Sequence, residues 1–194
     1  MKYLFLAVAI FFSNWTIAQL KTNIYWTQQT NLPKSEVIYY DLQSPLVWND
    51  FKGTANGSSI AAAITVSGFG YKAGMKKSGE EGQLDIGVYC YFNKNTSWVK
   101  PGKTTGYILS HEQQHFNISY IAACYFVEKL KTASVTNSNY SSLLPALYKE
   151  SCDLMNKMQN DYDGQTKNGQ LKDIQAKWDE YVSKRITASI ASTK

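Results

Sequence analysis

G-Y-I-L-S-H-E-Q-Q-H-F-N-I-S-Y-I-A-A-C-Y-F-V, residues 106–127, is the stretch around which this chain is organised. It holds both histidines of the protein, His111 and His115, with Glu112 beside the first, in the pattern H-E-x-x-H. In a helix, residues four apart stand one above the other on the same face. The two imidazoles then point the same way, at a spacing that can grip one zinc ion. Glu112 is displaced by one residue, where it reaches a water rather than the metal. The spacing predicts a helix from about Thr104 to about Lys131.

Upstream the periodicity falls to two. Leu84, Ile86, Val88, Cys90 and Phe92 alternate with Asp85, Gly87, Tyr89 and Tyr91, which marks a half-buried strand. Ser59 to Tyr71, rich in small and β-branched residues, reads as a second strand. The two make a long hairpin across the charged, glycine-bounded turn Gly74 to Gly82. Glu36 to Tyr40 is a shorter strand, and Gln19 to Lys34 a polar arm leading into it. Asn93 to Lys103 is a loop anchored by Trp98. Downstream, helices are expected at Tyr140 to Asn160 and Leu171 to Ile190, with the loop Asp161 to Gly169 between them. Strands first and helices later, without alternation, give an α+β fold: a small antiparallel sheet followed by a helical half that carries the H-E-x-x-H helix.

Lys2, an apolar run from Tyr3 to Phe12, and Thr16-Ile17-Ala18 have the order of a secretory signal peptide, residues 1–18. The remainder, residues 19–194, suits a single domain. Export to the periplasm or the extracellular space is expected. No later segment approaches the ~20 apolar residues of a membrane span, so no stable membrane insertion is expected after cleavage. The formal net charge is +5, and the only arginine is Arg185, so no basic stripe for nucleic acid is apparent. Cys90, Cys124 and Cys152 are an odd set for an oxidising compartment. One disulfide and one free thiol would be allowed, and burial as inert side chains is the default. Cys124 falls on the far side of the helix from the histidines, so it is not expected to be a ligand.

A catalytic zinc takes three protein ligands and leaves a position for water. Glu128 lies too far along the histidine helix. Glu150 and Asp153 are in the second helix, and Asp161 and Asp163 in the loop after it. Asp163 is favoured, because Gly164 beside it frees the chain to bend. The competing role for Asp163 is a helix cap or Asx-turn.

Several spaced motifs in this order resemble a bacterial family of predicted secreted zinc-dependent proteases, defined as a domain of unknown function. They are Trp48-x-Asp50-Phe51-x-Gly53, Ala61-Ala62, Ser97-Trp98, Leu109 to Ile118, Tyr162-Asp163-x-x-Thr166-x-x-Gly169 and Gln175-Ala176-x-Trp178. They span nearly all of residues 19–194. The resemblance implies a zincin-like domain acting on a peptide or protein substrate with Zn2+ as cofactor. Asn168 stands where the family usually has histidine, and Asn117 where many members have aspartate. If that histidine is the third ligand, the amide here weakens the site. If the aspartate is, the site is intact through Asp163, with Asn168 tuning it from behind the ligands. On this picture His111, His115 and Asp163 hold the metal and Glu112 is the general base. Tyr162 is a candidate donor to the developing oxyanion, and the Leu84–Phe92 strand a candidate partner for an extended substrate. The alternative is a non-catalytic exported module with a weakened or lost metal site.

Overall fold

Period-two patterning in the first half and helical patterning in the second produce two layers that meet along one helix. The computed structural model describes residues 20–78 and 81–193; the expected signal peptide lies outside them. Six strands come first, β1 (Lys21–Trp26), β2 (Val37–Tyr39), β3 (Ala63–Ile64), β4 (Ser67–Ser78), β5 (Glu81–Asn93) and β6 (Trp98–Val99). Three helices follow, α1 (Gly106–Thr132), α2 (Tyr140–Thr166) and α3 (Lys172–Thr193). The fold is α+β.

The spine of the main sheet is β5. It pairs with β4 along their whole length, from Ser67 opposite Phe92 to Ser78 opposite Glu81. Its other edge is taken by β1 and then by β2, which sits opposite Tyr91 to Asn93. Four expectations are corrected here. The sheet is mixed rather than antiparallel, because β1 runs parallel to β5 from Lys21 opposite Gln83 to Trp26 opposite Val88. Gln19 lies outside the described residues, and the rest of the expected Gln19–Lys34 arm, from Leu20 on, is therefore not simply an arm. Its polar composition reflects one side open to solvent, while Leu20 is buried and its N–H donates to the Val135 carbonyl at 2.8 Å. With both edges filled, the Leu84–Phe92 strand has no free backbone for a substrate strand. The expected charged turn is also shorter than Gly74–Gly82, since β4 continues to Ser78 and β5 resumes at Glu81.

Leu84, Ile86, Val88, Cys90 and Phe92 point to one face and pack on Phe116, Ala122, Ala123, Phe126, Val127 and Leu130 of α1. The opposite face of α1 presents Ile118 and Ile121 to Met158 and Tyr162 of α2 and to Val182 and Ile186 of α3. Each Val, Leu, Ile, Phe or Met among them contributes about 1.5–3 kcal/mol on burial, so α1 is held from both sides. This explains why α1 is apolar nearly all round. Cys90 and Cys124 are buried in the core, Cys152 is half-buried, and no disulfide joins them. No helix among the described residues is long and apolar enough to cross a membrane.

Helix α2 runs on to Thr166, past the expected stop near Asn160. Asp161, Tyr162, Asp163 and Gly164 are therefore helical, and the connection to α3 shrinks to residues 167–171. Gly164 does not break the helix, since one glycine costs only about 1 kcal/mol relative to alanine.

Candidate metal centre

The Thr105 side chain caps α1 by accepting from the Ile108 N–H at 3.2 Å, which starts the helix just before the histidines. One and a half turns in, His111 and His115 stand edge to face, with ring centroids 4.9 Å apart. Their Nε2 atoms lie 3.3 Å from each other. The last turn of α2 delivers Asp163, whose Oδ1 is 3.3 Å from His111 Nε2 and 3.2 Å from His115 Nε2. Among the described residues these three are the one cluster with metal-ligand chemistry.

The outward nitrogens of both imidazoles are already committed. Nδ1 of His111 lies 3.1 Å from Gln175 Oε1 of α3, and Nδ1 of His115 lies 2.5 Å from Gln159 Oε1 of α2. Gln159 also donates from Nε2 to the His115 carbonyl at 2.9 Å, which fixes the orientation of its amide. Amide oxygens are acceptors, so each imidazole donates from Nδ1 and turns a lone pair on Nε2 inward. The inward trio is thus two nitrogen lone pairs and a carboxylate oxygen, and Asp163 Oδ1 is buried without a hydrogen-bond partner. What fits among three such acceptors is a cation. Zinc bonds of about 2.0–2.1 Å at tetrahedral angles place ligand atoms about 3.3–3.4 Å apart, which is the size of this triangle.

The same geometry governs the charges. With no ion between them, an imidazole that takes a proton on Nε2 donates it to Asp163 instead: burial pushes the Asp163 pKa up, but hydrogen bonds from His111 and His115 outweigh it and hold the carboxyl well below the usual carboxylate range. For His115 burial pushes the pKa down, and Asp163, with a further contribution from Glu112, reverses this to a net rise.

Glu112 is buried, and its Oε2 has no hydrogen-bond partner. It lines a cavity of about 390 Å³ together with both histidines, Asp163, Gln159, Asn168 and Gly169. A buried carboxylate oxygen without a partner is costly unless a ligand or water completes it. Tyr162 is fully buried and is not among the residues lining this cavity. Its ring stacks on His111 at 4.7 Å and meets His115 edge-on at 5.3 Å, so it backs the imidazoles. Asn168 does line the cavity. It follows Lys167 into the left-handed region, with φ of 53° and 51° respectively, and its N–H donates to the Asp163 carbonyl at 2.8 Å. Gly169 continues this turn at φ +78°, and Tyr107 ties it down by donating its hydroxyl to the Gly169 carbonyl at 2.6 Å.

The other acidic candidates lie elsewhere. Glu150 accepts from Tyr125 and pairs with Lys129, Asp153 pairs with Lys149, and Asp161 with Lys157. Gln159 and Gln175 are the members that sequence reasoning missed. A signal existed for the first: Gln159 and Asp163 are four apart, hence on one face, once α2 is known to extend through both.

No protein-family model, no curated protein and no solved structure matches this chain.

Proposed function

We propose that this protein is an exported zinc-dependent hydrolase of peptide bonds. The observation that carries the reading is the triangle of His111 Nε2, His115 Nε2 and Asp163 Oδ1, with edges of 3.2–3.3 Å, beside the unpartnered Glu112 Oε2. His111, His115 and Asp163 would hold the ion, with both imidazoles kept in the required tautomer by Gln175 and Gln159. Zinc bound there would supply Lewis acidity toward water and a carbonyl oxygen. Glu112 Oε2 accepts the proton of a water in the cavity and delivers it to the leaving amine. Asn168 shapes the cavity wall and, through its backbone, steadies the end of α2. The resemblance of the spaced motifs to secreted proteases favours peptide bonds as the target, and the leader-like residues 1–18 favour export.

The test is metal analysis and peptide hydrolysis on three proteins: wild type, Glu112→Gln and Asp163→Ala. Wild type and Glu112→Gln should each carry one zinc per chain, and Asp163→Ala should lose it. Hydrolysis should fall by about 10²–10⁴-fold in Glu112→Gln, the usual contribution of a general base. Equal hydrolysis by wild type and Glu112→Gln would remove Glu112 from the mechanism, and unchanged zinc in Asp163→Ala would remove Asp163 from the centre.

A further inference from the structure

One edge of β5 is shared by two strands that arrive from opposite directions. β1 follows it as far as Trp26 opposite Val88, where Thr27 N–H donates to the Val88 carbonyl at 2.8 Å. β2 runs the other way along the same edge, with Tyr39 opposite Tyr91 and Tyr40 N–H donating to the Cys90 carbonyl at 3.0 Å. The C-terminal ends of β1 and β2 therefore face each other across Tyr89 and Cys90. A hollow of about 350 Å³ opens there, between the sheet edge and Tyr120 of α1. Sites for small molecules are of this size. The hollow shares no residue with the cavity that holds Glu112.

Three aromatic rings line it as one bank. Residues opposite each other on paired strands point to the same face, so Trp26 stands on the core-facing side with Val88. Val88 is fully buried there, yet Trp26 keeps 41% of its surface in solvent. Its ring lies 5.5 Å from that of Tyr120, tilted by 32°. Tyr120 in turn stacks on Tyr40 at 4.0 Å, nearly parallel, and Tyr40 donates its hydroxyl to Asn117 Oδ1 at 3.1 Å. Burial pushes the Tyr40 and Tyr120 hydroxyls and the Cys90 thiol up, so all three stay neutral. Among the described residues, Asp41 is the one charged side chain that lines the hollow. Gln43 N–H, at 2.9 Å, and Ser44 Oγ, at 3.2 Å, hold its exposed carboxylate in place. The chain carries 20 lysines and arginines, and none of those described lines this hollow, so its electrostatic character is negative.

We propose that this hollow binds a compact organic ammonium ion, with Trp26, Tyr120 and Tyr40 meeting its alkyl groups and Asp41 neutralising its charge. Aromatic rings carry negative charge density on their faces and attract cations, tryptophan most strongly. A quaternary ammonium suits such a wall, because its charge is spread over methyl groups that ask for no hydrogen-bond partner. Asp41 and the ring faces repel an anion. A metal ion finds a single carboxylate here, whose oxygens already accept from the turn.

The test is isothermal titration of the wild-type protein with three probes. They are choline, its uncharged isostere with carbon in place of the nitrogen, and a short peptide bearing trimethyl-lysine. Choline should bind about tenfold more tightly than the isostere, the discrimination that a desolvated cation–π contact gives. Trp26→Leu keeps an apolar wall without the ring and should erase that preference. Asp41→Asn keeps an acceptor for the turn but removes the charge, and should weaken choline severalfold while leaving the isostere unchanged. Asp41 is exposed, so this variant decides the matter even where Trp26→Leu fails to fold. No binding of choline, equal binding of the isostere, or an unchanged preference in Asp41→Asn would overturn the proposal. The peptide arm separates the sources of the ion. Tighter binding than choline assigns the hollow to a lysine side chain of a partner protein, and weaker binding assigns it to a free small molecule.

Discussion

Gln159 holds His115 at both ends, its Nε2 donating to the His115 carbonyl at 2.9 Å while its Oε1 faces the imidazole Nδ1 at 2.5 Å. One side chain thereby fixes the backbone position, the ring orientation and the tautomer of a proposed ligand. Gln175 provides the ring contact alone to His111, from a different helix.

Replacing Gln159 by leucine leaves a neutral side chain of similar size with no acceptor for Nδ1. Loss of such outer partners typically costs about 10–100-fold in metal affinity. Zinc affinity of Gln159→Leu, measured by competition with a chromophoric chelator, should fall by that factor. An unchanged affinity would show that the clamp does not orient the ring.

Gly169 and Gly164 should respond in opposite directions to alanine. At Gly169, with φ +78°, a Cβ would lie 3.1 Å from His111 Nδ1 and 3.2 Å from Gln175 Oε1. Left-handed backbone costs alanine roughly 1–2 kcal/mol, and the imidazole must also give way. At about 2–4 °C per kcal/mol for a chain of this size, Gly169→Ala should melt several degrees lower. Zinc affinity should fall with it. At Gly164 a Cβ meets nothing within 4 Å, and the residue is helical, so Gly164→Ala should be neutral or raise the melting temperature. Thermal scans of the two variants check the pair, and a drop for Gly164→Ala would contradict the helical position of Asp163.

Asp85 joins three strands, accepting from Asn23 of β1 at 3.0 Å and from Gln83 at 2.7 Å and pairing with Lys76 of β4 at 2.5 Å. Lys76, Gln83 and Asn23, in that order, lower its pKa to about 2. A carboxyl depressed in the folded state stabilises above its unfolded pKa and loses that contribution as pH falls through the folded value. The sheet should therefore weaken between about pH 4 and pH 2. Acid unfolding followed by circular dichroism should show a shallower loss over this window in Asp85→Asn than in wild type. Superimposable acid limbs would remove Asp85 from the pH dependence.

Much of the fold was legible because it depends on local periodicity. The H-E-x-x-H helix and the Leu84–Phe92 alternation identify themselves within a single segment. Placement of β1 did not, because its partner is far along the chain and its own residues look like a polar arm. The end of α2 was misjudged because Gly164 and its polar neighbours suggest a turn, while the contacts of Met158 and Tyr162 with Val182 and Ile186 favour continued helix. That extension turns Asp163 from a loop residue into the end of a rigid face that also carries Gln159.

By itself the sequence determined which residues could bind a metal, since only histidines four apart on a helix and a nearby carboxylate have the needed lone pairs. It left Asp163 as one acid among several. Tertiary packing made that choice, because α1 and α2 cross so that Asp163 meets both Nε2 atoms while lysines or Tyr125 occupy the other acids. Packing alone also decided which way the imidazoles face and which ring stands beside Trp26. Both depend on partners distant in sequence, Gln175 for His111 and Tyr120 for Trp26, and no local pattern encodes such meetings.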